Sequence, residues 1–159
     1  MISLIASVGR NLELGKNGGL AFTGRGELGY FRDTTMNHKI FMGHNTFISL
    51  PKRLKNREYY VASNAKDLPD WVNIVEDVDA FLKDWQKKPE ELFVIGGGMM
   101  YKTALPYAQK LYLTEINGKC PEADVFFPTF DKTKYTKTRV GEGEFDDGLT
   151  FVRFIYELN

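Results

Sequence analysis

The sequence predicts an α/β fold: a mostly parallel sheet with helices on both faces and antiparallel strands at the carboxyl end. Apolar strand-like runs alternate with helical patterns over about two thirds of the chain, and the rest reads as strands. No internal repeat, low-complexity tract or break in composition divides the 159 residues. One domain over 1–159 is expected.

Ile2-Ser-Leu-Ile-Ala-Ser-Val8 is a short apolar run rich in strand formers, followed by a turn at Gly9-Arg-Asn11. Gly15 to Gly26 is punctuated by glycine, with only Leu20, Ala21 and Phe22 apolar together, and is expected to be a loop. Loops that long are usually functional or mobile. Leu28 and Phe31 sit three apart in 27–35, giving one helical face with Glu27 in its first turn. Residues 39–43 read as a buried strand, 45–50 as a short helix stopped by Pro51, and 59–63 as another strand. The clearest helix covers 78–87, where Val78, Phe81, Leu82 and Trp85 follow the i, i+3, i+4, i+7 pattern. Asp77 can cap its start, and Lys87, Lys88 and Pro89 suit its end. Leu92-Phe-Val-Ile95 is an apolar strand that enters Gly96-Gly97-Gly98, and a helix is expected over 99–108. Residues 110–116 and 149–157 read as strands, the last alternating as a strand in the outer part of a sheet would.

Composition narrows the function classes. Lysine plus arginine number 21 and aspartate plus glutamate number 21, so there is no basic excess to hold nucleic acid. No apolar run approaches the roughly 18 residues of a membrane helix. The start at Met1 shows neither the basic region nor the cleavage site of a signal peptide, and Cys120 is the only cysteine. A cytoplasmic protein without disulfides is expected. His38, His44 and one thiol make a poor ligand set for zinc, so no metal is expected.

Four features can carry chemistry. Val94-Ile-Gly-Gly-Gly98 before a helix lets a ligand approach the main chain and places amides toward an anion; the plainer reading is a tight strand–helix turn. Glu27, flanked by Phe22, Leu28, Tyr30 and Phe31, is an acid that an apolar surface would help hold its proton; the plainer reading is a charge at a helix start. Gly43, Asn45 and Thr46 in Met42-Gly-His-Asn-Thr46 suit a phosphate, but equally a helix cap. Arg57 suits a carboxylate, or simply a solvated loop. The absence of G-x-S-x-G and of paired cysteines leaves nucleophilic hydrolysis little support.

In order and spacing, these segments resemble dihydrofolate reductases of the chromosomal bacterial and eukaryotic type, from Met1 to about Leu158. The segments are Ile2-Ser-Leu-Ile-Ala6, Leu14-Gly15, Glu27-Leu28 with Tyr30-Phe31, Thr34-Thr35, Met42-Gly43 and Asn45-Thr46-Phe47. They continue through Ser49-Leu50-Pro51, Leu54, Arg57, Phe93-Val-Ile-Gly-Gly-Gly98 with Tyr101 and Ala104-Leu-Pro106. Lys110-Leu-Tyr-Leu-Thr-Glu-Ile116 and Asp124 with Phe127-Pro128 complete the match.

The resemblance implies a three-layer sandwich with eight strands in one sheet, and reduction of 7,8-dihydrofolate by NADPH in one-carbon metabolism. Glu27 matches the family's active-site acid, which holds the pterin amino and N3 groups and helps deliver a proton to N5 through water. Thr114 matches the threonine bonded to that acid. Arg57 matches the arginine that holds the α-carboxylate of the glutamate tail. Ile5, Ala6, Leu28, Phe31, Leu50, Leu54 and Ile95 match the walls of the substrate pocket, which also takes antifolates. On the cofactor side the matches are Leu14, Gly15, Leu20, Gly43, His44, Asn45, Thr46, Ser63 and Asn64, then Gly96, Gly97, Gly98, Met99, Met100 and Tyr101. Gly96 and Gly97 match a pair joined by a cis peptide, and Tyr101 an aromatic near the nicotinamide. A monomer is expected.

The departures bear on rate and cofactor choice. The family usually has Pro-Trp where this chain has Ala21-Phe22, and Phe22 cannot hydrogen-bond the water of the acid's network. Gly24-Arg25-Gly26 replaces a common Leu-Pro before the acid, and Ala123 replaces a frequent glycine. His44 stands where an arginine commonly meets the adenosine 2′-phosphate, and Glu76 and Met99 align with other basic positions. A weakened preference for NADPH over NADH is expected. Two rivals remain. A reductase of the riboflavin pathway would share the fold but would not need Glu27, Thr114 and Arg57 together. A nucleotide- or pterin-binding relative with impaired catalysis is favoured by the loss of the tryptophan.

Overall fold

The computed structural model describes residues 1–23, 27–50 and 52–159, and of Glu27 the backbone alone. In chain order the strands are β1 (Ile2–Val8), β2 (Glu13–Lys16), β3 (Gly19–Leu20), β4 (Lys39–Gly43), β5 (Glu58–Ala62) and β6 (Val72–Val75). They continue as β7 (Leu92–Gly96), β8 (Lys110–Ile116), β9 (Val125–Phe126), β10 (Tyr135–Glu144) and β11 (Thr150–Leu158). The helices are α1 (Glu27–Thr34), α2 (His44–Ser49), α3 (Val78–Gln86) and α4 (Gly98–Ala104).

Eight strands form one sheet in the order β10-β11-β8-β1-β7-β4-β5-β6, and β3-β2-β9 form a small second sheet. From β8 to β6 all neighbours pair in parallel, whereas β11 runs against both β8 and β10. β1, β4 and β7 lie inside the sheet between two layers, which is why they read as unbroken apolar runs. Alternate residues of β1 serve opposite faces. Leu4, Ala6 and Val8 join Leu82 and Trp85 of α3 and Tyr101 and Ala104 of α4 in one core. Ile5 joins Ile40, Met42, Val61 and Phe93 in a second core under Phe31 of α1 and Phe47 of α2. The sandwich therefore has three layers, as expected.

Asp77 caps α3 by accepting from the Ala80 amide at 3.1 Å, as its place before the apolar pattern predicts. Two expectations need correction. The segment from Gly15 to Gly26 is not loop throughout, because β2 and β3 pair at its start; two-residue pairings leave no periodic signal in a glycine-rich stretch. The helix expected over 99–108 stops at Ala104 and tightens into a single 3-10 turn, Leu105–Tyr107, where Pro106 removes an amide donor. β11 lies in the outer part of the sheet as expected, but the edge beyond it is β10, a strand that the sequence pattern does not announce. In β10, Thr-Lys-Thr-Arg and two glycines on an exposed ribbon conceal the strand period.

Glu13 ties the two sheets to the loop after β8. It is 1% exposed, and its carboxylate accepts from the Cys120 amide at 2.6 Å and the Asn11 amide at 2.7 Å. Burial pushes this carboxyl up, but the amide donors and Lys119 outweigh it and hold the group below its ordinary range. Because the folded state depresses this pKa, the contribution to stability is present above the unfolded value and is lost as pH falls through the folded one. Glu13→Gln is expected to lower stability by about 1–3 kcal/mol at pH 7, by placing an amide donor against an amide donor. The deficit should shrink below about pH 4, and urea melts of parent and variant at both pH values measure it.

Candidate active site

The connections after β4 and β7, which are parallel neighbours, leave in opposite directions along the sheet. From β4 the chain enters α2 on the Ile5 face, and from β7 it enters α4 on the opposite face. Ligands of open α/β sheets sit outside such a switch point. Gly43 ends β4, and a Cβ placed on it would lie 4.0 Å from the Gly97 amide nitrogen. Gly96 and Gly97 are joined by a cis peptide, and Gly96 has a φ of 139° that side chains disfavour. A Cβ on Gly97 would press on Thr46 Oγ1 at 3.2 Å, and one on Gly98 would strike Val125 at 2.6 Å. Glycine is thus required on steric grounds, and the bare main chain fits the close approach of a bulky anionic ligand. Tyr101 is buried behind this turn and donates its hydroxyl to the Ile5 carbonyl at 2.7 Å, joining α4 to the middle of β1. Burial pushes its hydroxyl well up, so it remains a neutral donor.

On the Ile5 face, one apolar cluster gathers Ile5, Phe31, Leu50, Leu54 and Ile95, which the sequence reading assigned to the substrate pocket. Ala6 turns to the other core, and Leu28, one turn before Phe31 on α1, is 64% exposed. Arg57 lies near this cluster and is 7% exposed. Its guanidinium donates to the Lys55 carbonyl at 2.5 Å, to the Arg32 carbonyl and to Thr35 Oγ1 at 3.3 Å. Thr35 in turn donates to the Phe31 carbonyl at 2.8 Å. These contacts aim the planar group, while burial and Arg32 draw its pKa down from a very high value. A buried arginine met only by neutral acceptors is suited to an incoming carboxylate.

Thr114 is 2% exposed on β8, in register with Ser7 of β1 on one side and Arg153 of β11 on the other. Glu27 opens α1 on this face, and its side chain lies outside the described residues, as do Gly24, Arg25, Gly26 and Pro51. The Phe22 ring packs close to Gly9 and Gly118 and joins Leu149 in a satellite cluster with Ile116, Phe145 and Phe151. The loop carrying Ala123 still meets its neighbour, since Asn17 donates to Asp124 Oδ2 at 3.2 Å and Asp124 to the Gly15 carbonyl at 3.0 Å.

At the far end of the crevice, His44 Nδ1 and Ser63 Oγ are 3.1 Å apart, and Ser63 Oγ accepts from the Ala65 amide at 2.9 Å. Asn45 and Asn64 are exposed beside them, and Thr46 faces the glycine turn. The Ser63 amide bonds the Val75 carbonyl at 3.1 Å, which brings Glu76 alongside. Leu14 and Met100 pack on the first core, Gly15 is buried between β3 and β9, and Leu20 and Met99 are exposed. The structure thus gathers the apolar candidates Ile5, Phe31, Leu50, Leu54 and Ile95 in one cluster and sets His44 beside Ser63. Arg153, opposite Thr114 on β11, is not singled out by the sequence, because one arginine in an alternating strand reads as a solvent-facing residue.

The family model for dihydrofolate reductase matches residues 1–157. Dihydrofolate reductase of Bacillus subtilis is 35% identical over 148 residues, covering 92% of this chain and 87% of the relative. Dihydrofolate reductase type 3 of Salmonella typhimurium is 34% identical over 134 residues, covering 82% and 80%. The Haemophilus influenzae enzyme of the same name is 31% identical over 148 residues, covering 91% and 86%. With the match running through both the glycine turn and the Arg57 pocket, the chain belongs to the dihydrofolate reductase family.

Proposed function

We propose that this chain reduces 7,8-dihydrofolate to 5,6,7,8-tetrahydrofolate, with NADPH as the hydride source and the residues assigned above as its site. The observation that carries this reading is the apolar cluster of Ile5, Phe31, Leu50, Leu54 and Ile95, set between a buried arginine and a glycine-walled switch point. A flat heterocycle with an anionic tail fits the first part, and a nucleotide diphosphate fits the second.

When bound, the reduced nicotinamide supplies a hydride to C6 of the pterin, and the chain's own residues do the rest. Glu27 holds the pterin amino and N3 groups and delivers a proton toward N5 through water, which balances the hydride. Thr114 orients that acid. Arg57 takes the α-carboxylate of the tail with two parallel hydrogen bonds. Gly43, Thr46, Gly96 and Gly97 would hold the diphosphate, and His44, Ser63, Asn45 and Asn64 would hold the adenosine phosphate. Apolar walls keep water from the reacting atoms.

Loss of absorbance near 340 nm on mixing protein, dihydrofolate and NADPH tests the reading, because reduced nicotinamide absorbs at about that wavelength. Steady consumption that requires both ligands is the expected result. Tight binding of both without consumption would replace this reading with that of an impaired relative. For Arg57→Lys, a rise of about tenfold in the KM for dihydrofolate is expected, because an ammonium loses the bidentate geometry. The KM for NADPH should stay unchanged, and a rise in both would place Arg57 outside the tail site.

A further inference from the structure

Arg153 projects from β11 onto the same face of the sheet as Thr114, with which it is in register. Its guanidinium carbon lies 4.1 Å from the centre of the Tyr30 ring on α1 and 4.3 Å from that of Phe151. Its Nε is buried. Tyr30 follows Glu27 by three residues, a spacing that puts two positions on one helical face. A fixed cation is therefore held between Tyr30 in the first turn of α1 and Phe151, on the strand that lies beside Thr114.

Among the described residues, the other groups on this face are neutral or distant, and β10 sets Gly141 opposite Arg153. β1 contributes Ser3, Ile5 and Ser7, none of which ionises near neutrality. From β8, Tyr112 donates to Glu91 Oε2 at 3.1 Å, and burial pushes its hydroxyl well up, so it stays uncharged. Glu91 lies at the opposite end of the strands, where it also accepts from Ser3 Oγ at 2.5 Å and faces His38 at 3.5 Å. Glu157 and Lys110 pair in register at that same far end. From α1 the facing group is Tyr30, with Arg32 and Asp33 turned to solvent.

We propose that Arg153 is a positioning residue for the acid at the head of α1, favouring its ionised form and setting the pH above which proton delivery fails. This rests on the assignment of Glu27 made above. A cation within about 4–6 Å of a carboxyl group lowers its pKa by about 1–3 units. This chain should therefore lose activity at lower pH than the same site without the arginine. The cost is a smaller protonated fraction at neutral pH; the gain is a firmer grip on the pterin amino group.

The test is the pH dependence of kcat/KM for dihydrofolate between pH 5 and 9, with thermal melts of every variant. Arg153→Met is expected to move the alkaline limb upward by about 1–3 pH units. Arg153→Lys, which keeps the charge, should retain the parent limb within a few tenths of a unit. If Arg153→Met does not fold, Arg153→Gln gives the same reading with a hydrogen-bonding side chain. Glu27→Gln separates the two ideas by erasing the limb itself. A limb erased in Glu27→Gln but unmoved in Arg153→Met or Arg153→Gln overturns the role of Arg153 and leaves the acid in place. A limb that survives in Glu27→Gln overturns both.

Discussion

Glu27→Gln should lower kcat/KM for dihydrofolate by about 100- to 10,000-fold at pH 7, the range that a positioned general acid supplies. The substitution keeps size and hydrogen-bonding capacity but removes the only function the amide cannot copy, which is carrying a proton. No compensating acid is evident on this face among the described residues: Glu91 is engaged by Ser3 and Tyr112 at the far end. The loss should ease in acid, where solvent protons reach N5 without help. Steady-state rates with dihydrofolate and NADPH at pH 5 and pH 7, alongside a thermal melt, measure this. A melting temperature near that of the parent with turnover reduced only a few-fold at pH 7 would remove Glu27 from the reaction.

Much of the fold around this site is legible in the sequence, and the reason is physical. Strands buried on both sides, such as β1 and β7, must be apolar throughout, and an amphipathic helix such as α3 must show its stripe. The glycine turn was legible because a Cβ there meets Thr46 or Val125, so few other residues fit. What stayed hidden had no period to show. β10 is polar on a solvent-facing edge, and β3 and β9 are two residues each. Within the site, Ile5, Phe31 and Leu50 were legible through ordered motif segments, whereas Arg153 was not. Its place depends on a register with Thr114 and on a ring contact with Tyr30, the latter more than a hundred residues away in the chain. The network that aims Arg57, through the carbonyls of Arg32 and Lys55, is equally invisible, because carbonyls carry no sequence signal.

The second large effect expected is on the choice of cofactor. His44→Arg should raise the ratio of kcat/KM for NADPH to that for NADH by about ten- to a hundredfold, the equivalent of ~1.5–3 kcal/mol for a hydrogen bond to a charged group. His44 and Ser63 are 3.1 Å apart beyond the carboxyl ends of β4 and β5, where the proposed reading puts the adenosine phosphate, so a replacement guanidinium would start from the right place. Arginine adds a permanent charge and a planar fork matched to phosphate, whereas imidazole offers a charge only when protonated. Glu76, brought beside Ser63 by the bond between the Ser63 amide and the Val75 carbonyl, would work against a 2′-phosphate bound there by like-charge repulsion. Glu76→Gln should therefore raise the same ratio in the same direction by a smaller factor, since the carboxylate is exposed and screened. Both substitutions act on the phosphate that NADH lacks, so kcat/KM for NADH should hold steady while that for NADPH climbs. Initial rates with each cofactor at one pH and two salt concentrations decide the matter. An unchanged ratio in both variants would mean that the phosphate is held by other groups, such as main-chain amides and Ser63. A gain that shrinks at high salt is the signature of the charge, because added ions screen an exposed guanidinium–phosphate pair far more than a buried hydrogen bond.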